Sequence, residues 1–237
     1  MSGTASHIPT EATLPILGTI SIHWDYHAIL MVGIWLLWVP ICITIIRYGK
    51  PRPTELGLQR KVSLWHKEWW WFSTHKYGLY AAVFLSLGGL AVALVVSGGF
   101  SGSVHSIFGM LTILMAVVQV LFGMLRGTHG GKYYNNADLD DPSTWQGDHY
   151  SRTNRRRIFE AYHKTAGYFV VFCAIGAVAS GLMQYPMPIL AAVVIVTPFF
   201  FLAFWIVMEF YERRYDGYRA VHGYGIEHPY NKEREYL

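Results

Sequence analysis

Four histidines, His27, His75, His105 and His163, each stand within the first turn or so of a different long apolar run. Imidazole is a common metal ligand, and its charge changes near neutral pH. A strongly polar side chain inside an apolar segment is costly and usually functional. Two histidines from facing helices at one depth can hold a metal between them, and a haem iron takes axial ligands from both faces in this way.

The elements that carry these residues follow from composition. The chain has 237 residues, of which 53% are hydrophobic and only 14% are Asp, Glu, Lys or Arg, against about 25% charged in a soluble domain. The apolar residues fall in five runs, 27–47, 73–97, 104–126, 161–184 and 188–211. Each is long enough to cross roughly 30 Å of hydrocarbon as a helix. Backbone groups in hydrocarbon must be paired within the structure, so helices are expected and strands are not. The expected fold is an all-α integral membrane protein with five transmembrane helices. The first run is too long for the apolar core of a signal peptide and has no basic segment before it. Cys42 and Cys173 are the only cysteines and both lie inside spans, which excludes a disulfide framework and a Cys-x-x-Cys-His haem attachment.

Successive spans alternate in direction, which sorts the four histidines into two layers. His27 and His105 begin the first and third helices and share one layer. His75 and His163 begin the second and fourth and share the other. The pairs are then about a helix length apart, which disfavours a single tetrahedral zinc and favours one haem for each pair, with irons roughly 20 Å apart. Gly109 follows His105 by four residues, Gly167 follows His163 by four and Gly78 follows His75 by three. Residues at these spacings share a helix face, so each glycine is expected to leave room for a flat ring beside its ligand. The first helix departs from this, with Gly33 six residues after His27.

All 19 Lys and Arg residues lie at one end of the spans; none occurs in residues 1–46, 98–103 or 185–187. The positive-inside rule reads this as N-terminus out and C-terminus in. His27 and His105 then form the outer pair, and His75 and His163 the inner. The tryptophans of "WHKEWWWFSTHKYG" (65–78) fit a belt at the inner membrane edge. The inner haem is expected to find cations for its propionates among Arg47, Lys76, Arg126, Lys164 and the run Arg155–Arg157. That run would serve equally as a lipid-headgroup anchor. The outer layer offers only neutral donors such as His23, Tyr26, Ser101 and Ser103.

The other histidines read differently. His23, one turn before His27, is its competitor for the outer site. His66 stands beside Lys67 and Glu68 and reads as a solvated interfacial residue. His7, His129, His149, His222 and His228 lie in polar segments and are expected in water. Residues 1–25 read as a short exterior arm, 26–211 as the di-haem transmembrane domain and 212–237 as a cytoplasmic tail. The long connection 127–160 is rich in Gly and Asp before it turns basic.

The segments "HAILMVGIWLLWVP…IIRY", "WFSTHKYG", "SVHSIFGMLTILMAVVQVLFGMLR" and "RRIFEAYHKTAGY" resemble the cytochrome b561 family, in particular the core attached to DOMON domains. The resemblance covers about residues 23–184. It implies two haem b groups, ligated by His27 with His105 and by His75 with His163, in a four-helix bundle with the fifth helix packed outside. Pro198 is expected to kink that fifth helix. The resemblance also implies transmembrane electron transfer from an inner, ascorbate-like donor to an acceptor on the opposite side; a quinol or a partner protein is an equally open donor. The ascorbate-site motif of the six-helix members is not recognisable in "MVGIWLLWVP". Expected partners are membrane lipid, small-molecule or protein electron donors and acceptors, and a homodimer or larger complex; no nucleic acid is expected. The expected location is the cell (inner) membrane. The alternative is a haem-bearing or haem-free accessory or scaffold subunit of a larger membrane complex.

Overall fold

The computed structural model describes residues 10–16, 18–58, 66–225 and 227–234. His7 lies outside them. Five helices are long and apolar enough to cross a membrane. They are α1 (Trp24–Tyr48), α2 (Trp70–Val96, entered through the short turn Lys67–Trp69), α3 (Val104–Met124), α4 (Asn154–Gln184) and α5 (Pro188–Phe210). Local chemistry sets their ends. Ser103 Oγ accepts from Ser106 N at 3.2 Å and Thr153 Oγ1 from Arg156 N at 3.4 Å, satisfying amide donors that a helix start leaves unpaired. Pro188 opens α5, where a missing N–H costs nothing. The helix continues through Pro198.

The packing is inverted relative to a water-soluble bundle. Phe84, Phe172, Phe199 and Phe200 face outward, exposed by 62–75%, while Ser86, Thr112 and Thr197 are buried. This is the arrangement of a multi-pass membrane protein, whose apolar outer surface meets lipid. The core joins Ile34, Trp35 and Val39 of α1 to Ala82 of α2, Ala116 of α3, and Val170 and Ala174 of α4. Within α1 the segment Gly33–Trp38 widens to π geometry. Two of its tryptophans fasten α1 to α2: Trp35 Nε1 donates to Ser86 Oγ at 3.1 Å, and Trp38 Nε1 to Gly78 O at 2.9 Å. Outside this four-helix core, α5 sets Leu190 and Val194 against Val32, Leu36 and Val178. Trp205 Nε1 donates to Thr44 Oγ1 at 2.8 Å, and Glu209 pairs with Arg47 at 2.5 Å.

Two features depart from the sequence reading. The N-terminal arm adds a short antiparallel hairpin, β1 (Glu11–Leu14) with β2 (Gly18–Ser21), to an otherwise all-helical fold. The strands are only four residues long, too short for the apolar-run criterion to register. The polar connections at the opposite end also fold together. Residues 49–58, the 126–153 connection and the C-terminal segment with α6 (Gly217–His222) and α7 (Pro229–Arg234) form one cap. Backbone bonds stitch it: Gly131 N to Trp145 O at 2.8 Å, His149 N to Thr128 O at 3.0 Å, and Leu58 N to Val221 O at 2.9 Å. Ion pairs of Arg152 and Arg157 with Glu233 close it.

Candidate functional site

The four span histidines meet in two pairs. The rings of His27 and His105 have centres 6.2 Å apart with planes crossed at 82°, and those of His75 and His163 are 6.3 Å apart, also at 82°. A first-row metal binds imidazole nitrogen at about 2.0–2.1 Å, and a ring centre lies roughly 1.1 Å behind that nitrogen. Two rings on opposite sides of one iron therefore have centres about 6.2–6.4 Å apart. Both pairs have the spacing that a bis-imidazole iron requires. His23 instead turns edge-on to Tyr26 at 5.9 Å.

Hydrogen bonds fix the levels of the pairs. His105 Nδ1 lies 2.8 Å from Ala177 O of α4, and His75 Nδ1 lies 3.2 Å from Cys42 O of α1. His163 precedes Ala177 by fourteen residues on α4, and His27 precedes Cys42 by fifteen on α1. At 1.5 Å per residue the two layers are about 21–22 Å apart. Each of these Nδ1–H groups donates to a carbonyl, which leaves Nε2 with a lone pair, the tautomer a metal ligand needs. His163 Nδ1 is buried without a hydrogen-bond partner, as is Gln119 Oε1; the Gln119 amide nitrogen reaches His163 O at 3.4 Å.

The glycines divide into two kinds. A Cβ on Gly109 or Gly167 would meet nothing within 4 Å although both positions are partly buried, so each leaves open space one turn from His105 or His163. Gly78 is different: a Cβ there would lie 2.6 Å from Cys42 Sγ and 3.3 Å from Trp38. Its bare backbone lets α1 approach α2, which brings Cys42 O to His75. Gly181, not evident from the sequence, sits against the outer ligand, where a Cβ would be 2.8 Å from His105 Nδ1.

Lys50, Lys164, Arg126 and Arg156 stand near the His75–His163 pair. Arg47 is held by Glu209, Tyr48 and Tyr168, and Lys76 lies over the rings of Tyr77 and Tyr80. Among the described residues Arg126, Lys164 and Lys50 make no ion pair. The Arg126 guanidinium lies 4.4 Å over Phe72, and burial with nearby Arg156 lowers it to about 10. Lys50 donates to Ile46 O and Arg47 O. Burial lowers it to about 8, with Arg214, Lys164 and Arg47 adding to the effect and Asp216 opposing it. Arg126, partly buried and without an ion pair among the described residues, provides the setting in which a bound carboxylate is favoured. Lys50 escaped the sequence reading because it lies beyond the apolar run. The Arg155–Arg157 run has partners within the chain: Leu125 O, Glu160 and Glu233 respectively.

The expectation of solvated histidines fails for the cap. His149 is 7% exposed and His228 2%, and His129 and His222 pack beside them. His149 Nδ1 lies 2.8 Å from His222 Nε2. Burial, with neighbouring histidines and Arg156, holds His149 and His222 well below the usual histidine range, Arg126 adding to the effect on His149, and burial lowers His129 to about 3. Segments far apart in sequence fold over one another here, so the polarity of each alone does not report burial. His66 is partly buried and caps the turn before α2, its Nδ1 accepting from Glu68 N at 3.3 Å.

No family model, no characterised protein and no solved structure matches this chain.

Proposed function

We propose that the chain carries electrons across a membrane on two b-type haems, as a protein of the cytochrome b561 type, with His27 and His105 holding one haem and His75 and His163 the other. The observation that carries this reading is the repeated ring spacing, 6.2 and 6.3 Å, at two levels of one bundle. A bound haem supplies reversible one-electron exchange at its iron. The protein's own part is positional. Cys42 O and Ala177 O orient two of the four imidazoles, and the recesses at Gly109 and Gly167 admit a flat group beside each pair. Arg126, Lys164 and Lys50 would neutralise the inner propionates. Trp35 and Ser86, hydrogen-bonded in the core, keep the space between the layers filled and dry.

The orientation in this reading is N-terminus out and C-terminus in, because every Lys and Arg among the described residues lies toward the capped end. The inner pair then faces a cytoplasmic-side or membrane donor, an ascorbate-like reductant or a quinol. The outer pair faces the acceptor, in the cell membrane.

The test is a haem assay and a reduced-minus-oxidised spectrum of purified protein. Two haem b groups per chain are expected, and adding ascorbate or a quinol separates the donors. Purified protein that takes up no haem would sink the proposal.

A further inference from the structure

We propose that His129, His149 and His222 form a binding site for one transition-metal ion of the imidazole-preferring class, of which Zn²⁺ is the probe, fastening the 126–153 connection to the C-terminal segment. This site is distinct from both span pairs and does not depend on the haem reading.

One ligand atom from each of the three rings lies within 4.8 Å of the other two. A tetrahedral ion with bonds of about 2.0–2.1 Å holds its nitrogens roughly 3.3–3.4 Å apart. The His149–His222 contact at 2.8 Å must open by about half an ångström, and the widest separation must close, within the reach of small ring rotations. With neither thiolate nor carboxylate in the set, the donors favour zinc, copper, nickel or iron over magnesium or calcium.

The rings are walled in. Tyr218 stacks on His149 at 4.4 Å and 7°, His228 stacks on His222 at 4.7 Å and 21°, and Trp69 stands edge-on to His129 at 5.4 Å. Gly131, at φ +94°, approaches so closely that a Cβ would lie 2.9 Å from His222 Nδ1. Gly130 and Gly147 let the two arms of the connection cross, a Cβ on Gly147 falling 2.5 Å from Gly130 Cα. These contacts aim His129 and His149 at one point. The crossing has no evident purpose for a solvated loop.

A second observation points the same way. His228 Nδ1 accepts from Tyr230 N at 3.1 Å, while its Nε2 is buried with no hydrogen-bond partner. A buried imidazole N–H without an acceptor is costly, and a metal-bound water or hydroxide beside the triad is an acceptor that could satisfy it. A surface cleft reaches His129, His222 and His228, with Glu55 and Glu227 among its lining residues. It offers a cation an entry path and leaves a coordination position for water. Arg126 and Arg156 oppose a cation here, and Arg156 is paired with Glu160 at 2.8 Å.

The experiment uses tag-free purified protein stripped with a chelator and given Zn²⁺ or Co²⁺. The wild type should retain one zinc per chain after gel filtration. His149→Ala and His222→Ala should each bind at least about a hundredfold more weakly, with the helical circular-dichroism spectrum intact, while His66→Ala should bind as the wild type does. Wild-type protein that keeps no zinc, or variants that bind it equally well, would overturn the site. If the alanine variants do not fold, cobalt on the wild type decides. Intense visible bands of a four- or five-coordinate nitrogen site are expected, and the weak bands of an octahedral ion would refute it.

Discussion

The outer and inner histidine pairs share a ring geometry and differ in almost everything around it. The outer pair is bounded by close-packed backbone at Gly181, with Gly89 packed on Met31 near His27, and among the described residues every Lys and Arg lies toward the other end of the bundle. The inner pair has Arg126, Lys164 and Lys50 close by and a folded polar cap beyond them. Ligand geometry is thus set by the helices alone, since the outer pair achieves it without a cap. The cap must serve something else: charge, access, or binding of its own.

The largest expected effect tests the pairs as units. His27→Ala and His105→Ala should each remove the same redox component and leave about one haem per chain, and His75→Ala and His163→Ala should remove the other. The double variant within one pair should lose little more, since groups acting as one unit are non-additive, whereas His27→Ala with His75→Ala should lose both. Haem stoichiometry and redox titration read this. Different components lost from His27→Ala and His105→Ala would break the pairing.

Next come the recesses. Gly109→Leu should strip or distort the outer haem alone, and Gly167→Leu the inner alone, because each fills space that is empty beside its own ligand. Gly78→Ala should act differently. Its methyl collides with Cys42 and Trp38, so the expected cost is overpacking of about 1–3 kcal/mol in overall stability, read as a lower unfolding temperature. If Gly167→Leu kept two normal haems, that recess would not be the inner site.

These distinctions show what the sequence could and could not disclose. The spans were legible because hydrocarbon demands about 20 apolar residues, and the first and last residues of α3 and α5 fall within two residues of the apolar runs. The start of α4 was not. The helix begins seven residues before the run at Ala161, since "NRRRIFE" is capped by Thr153 and braced by the Arg156–Glu160 pair. Apolarity marks the membrane, not the helix. The cap histidines were missed because their burial comes from contacts between His149 and a residue 73 positions away. A signal was nonetheless present: "THGG", "GDHY" and "VHGYG" each set a histidine within two residues of a glycine, the residue that permits close backbone crossings.

A smaller effect concerns charge. Arg126→Gln should lower the midpoint potential of the inner haem, because a nearby cation favours the form that has gained an electron. A shift of about 60 mV corresponds to roughly 1.4 kcal/mol for one electron. The outer potential should move much less, since that site lies about 21 Å away and the field of a charge falls off with distance. Equal shifts in both haems would mean that Arg126 acts through the fold rather than through its field.

The smallest effect tests whether the cap shields the inner pair. Asp216 accepts from Tyr218 N at 2.9 Å and Arg219 N at 3.0 Å at the start of α6, and from Tyr230 OH at 2.7 Å. It thereby joins α6, which carries His222, to α7. Asp216→Ala removes a helix cap worth typically about 1 kcal/mol, too little to unfold the five spans. It should instead raise the fraction of time the cap is open, by roughly fivefold for 1 kcal/mol. Amide hydrogen exchange over residues 217–231 should quicken by that factor, while exchange in α3 stays unchanged. Reduction of the inner haem by a water-soluble reductant should quicken in step, and that of the outer haem should not. Faster exchange without faster inner reduction would show that the cap is not the barrier between the inner pair and water, leaving metal binding as the remaining reason for its close packing.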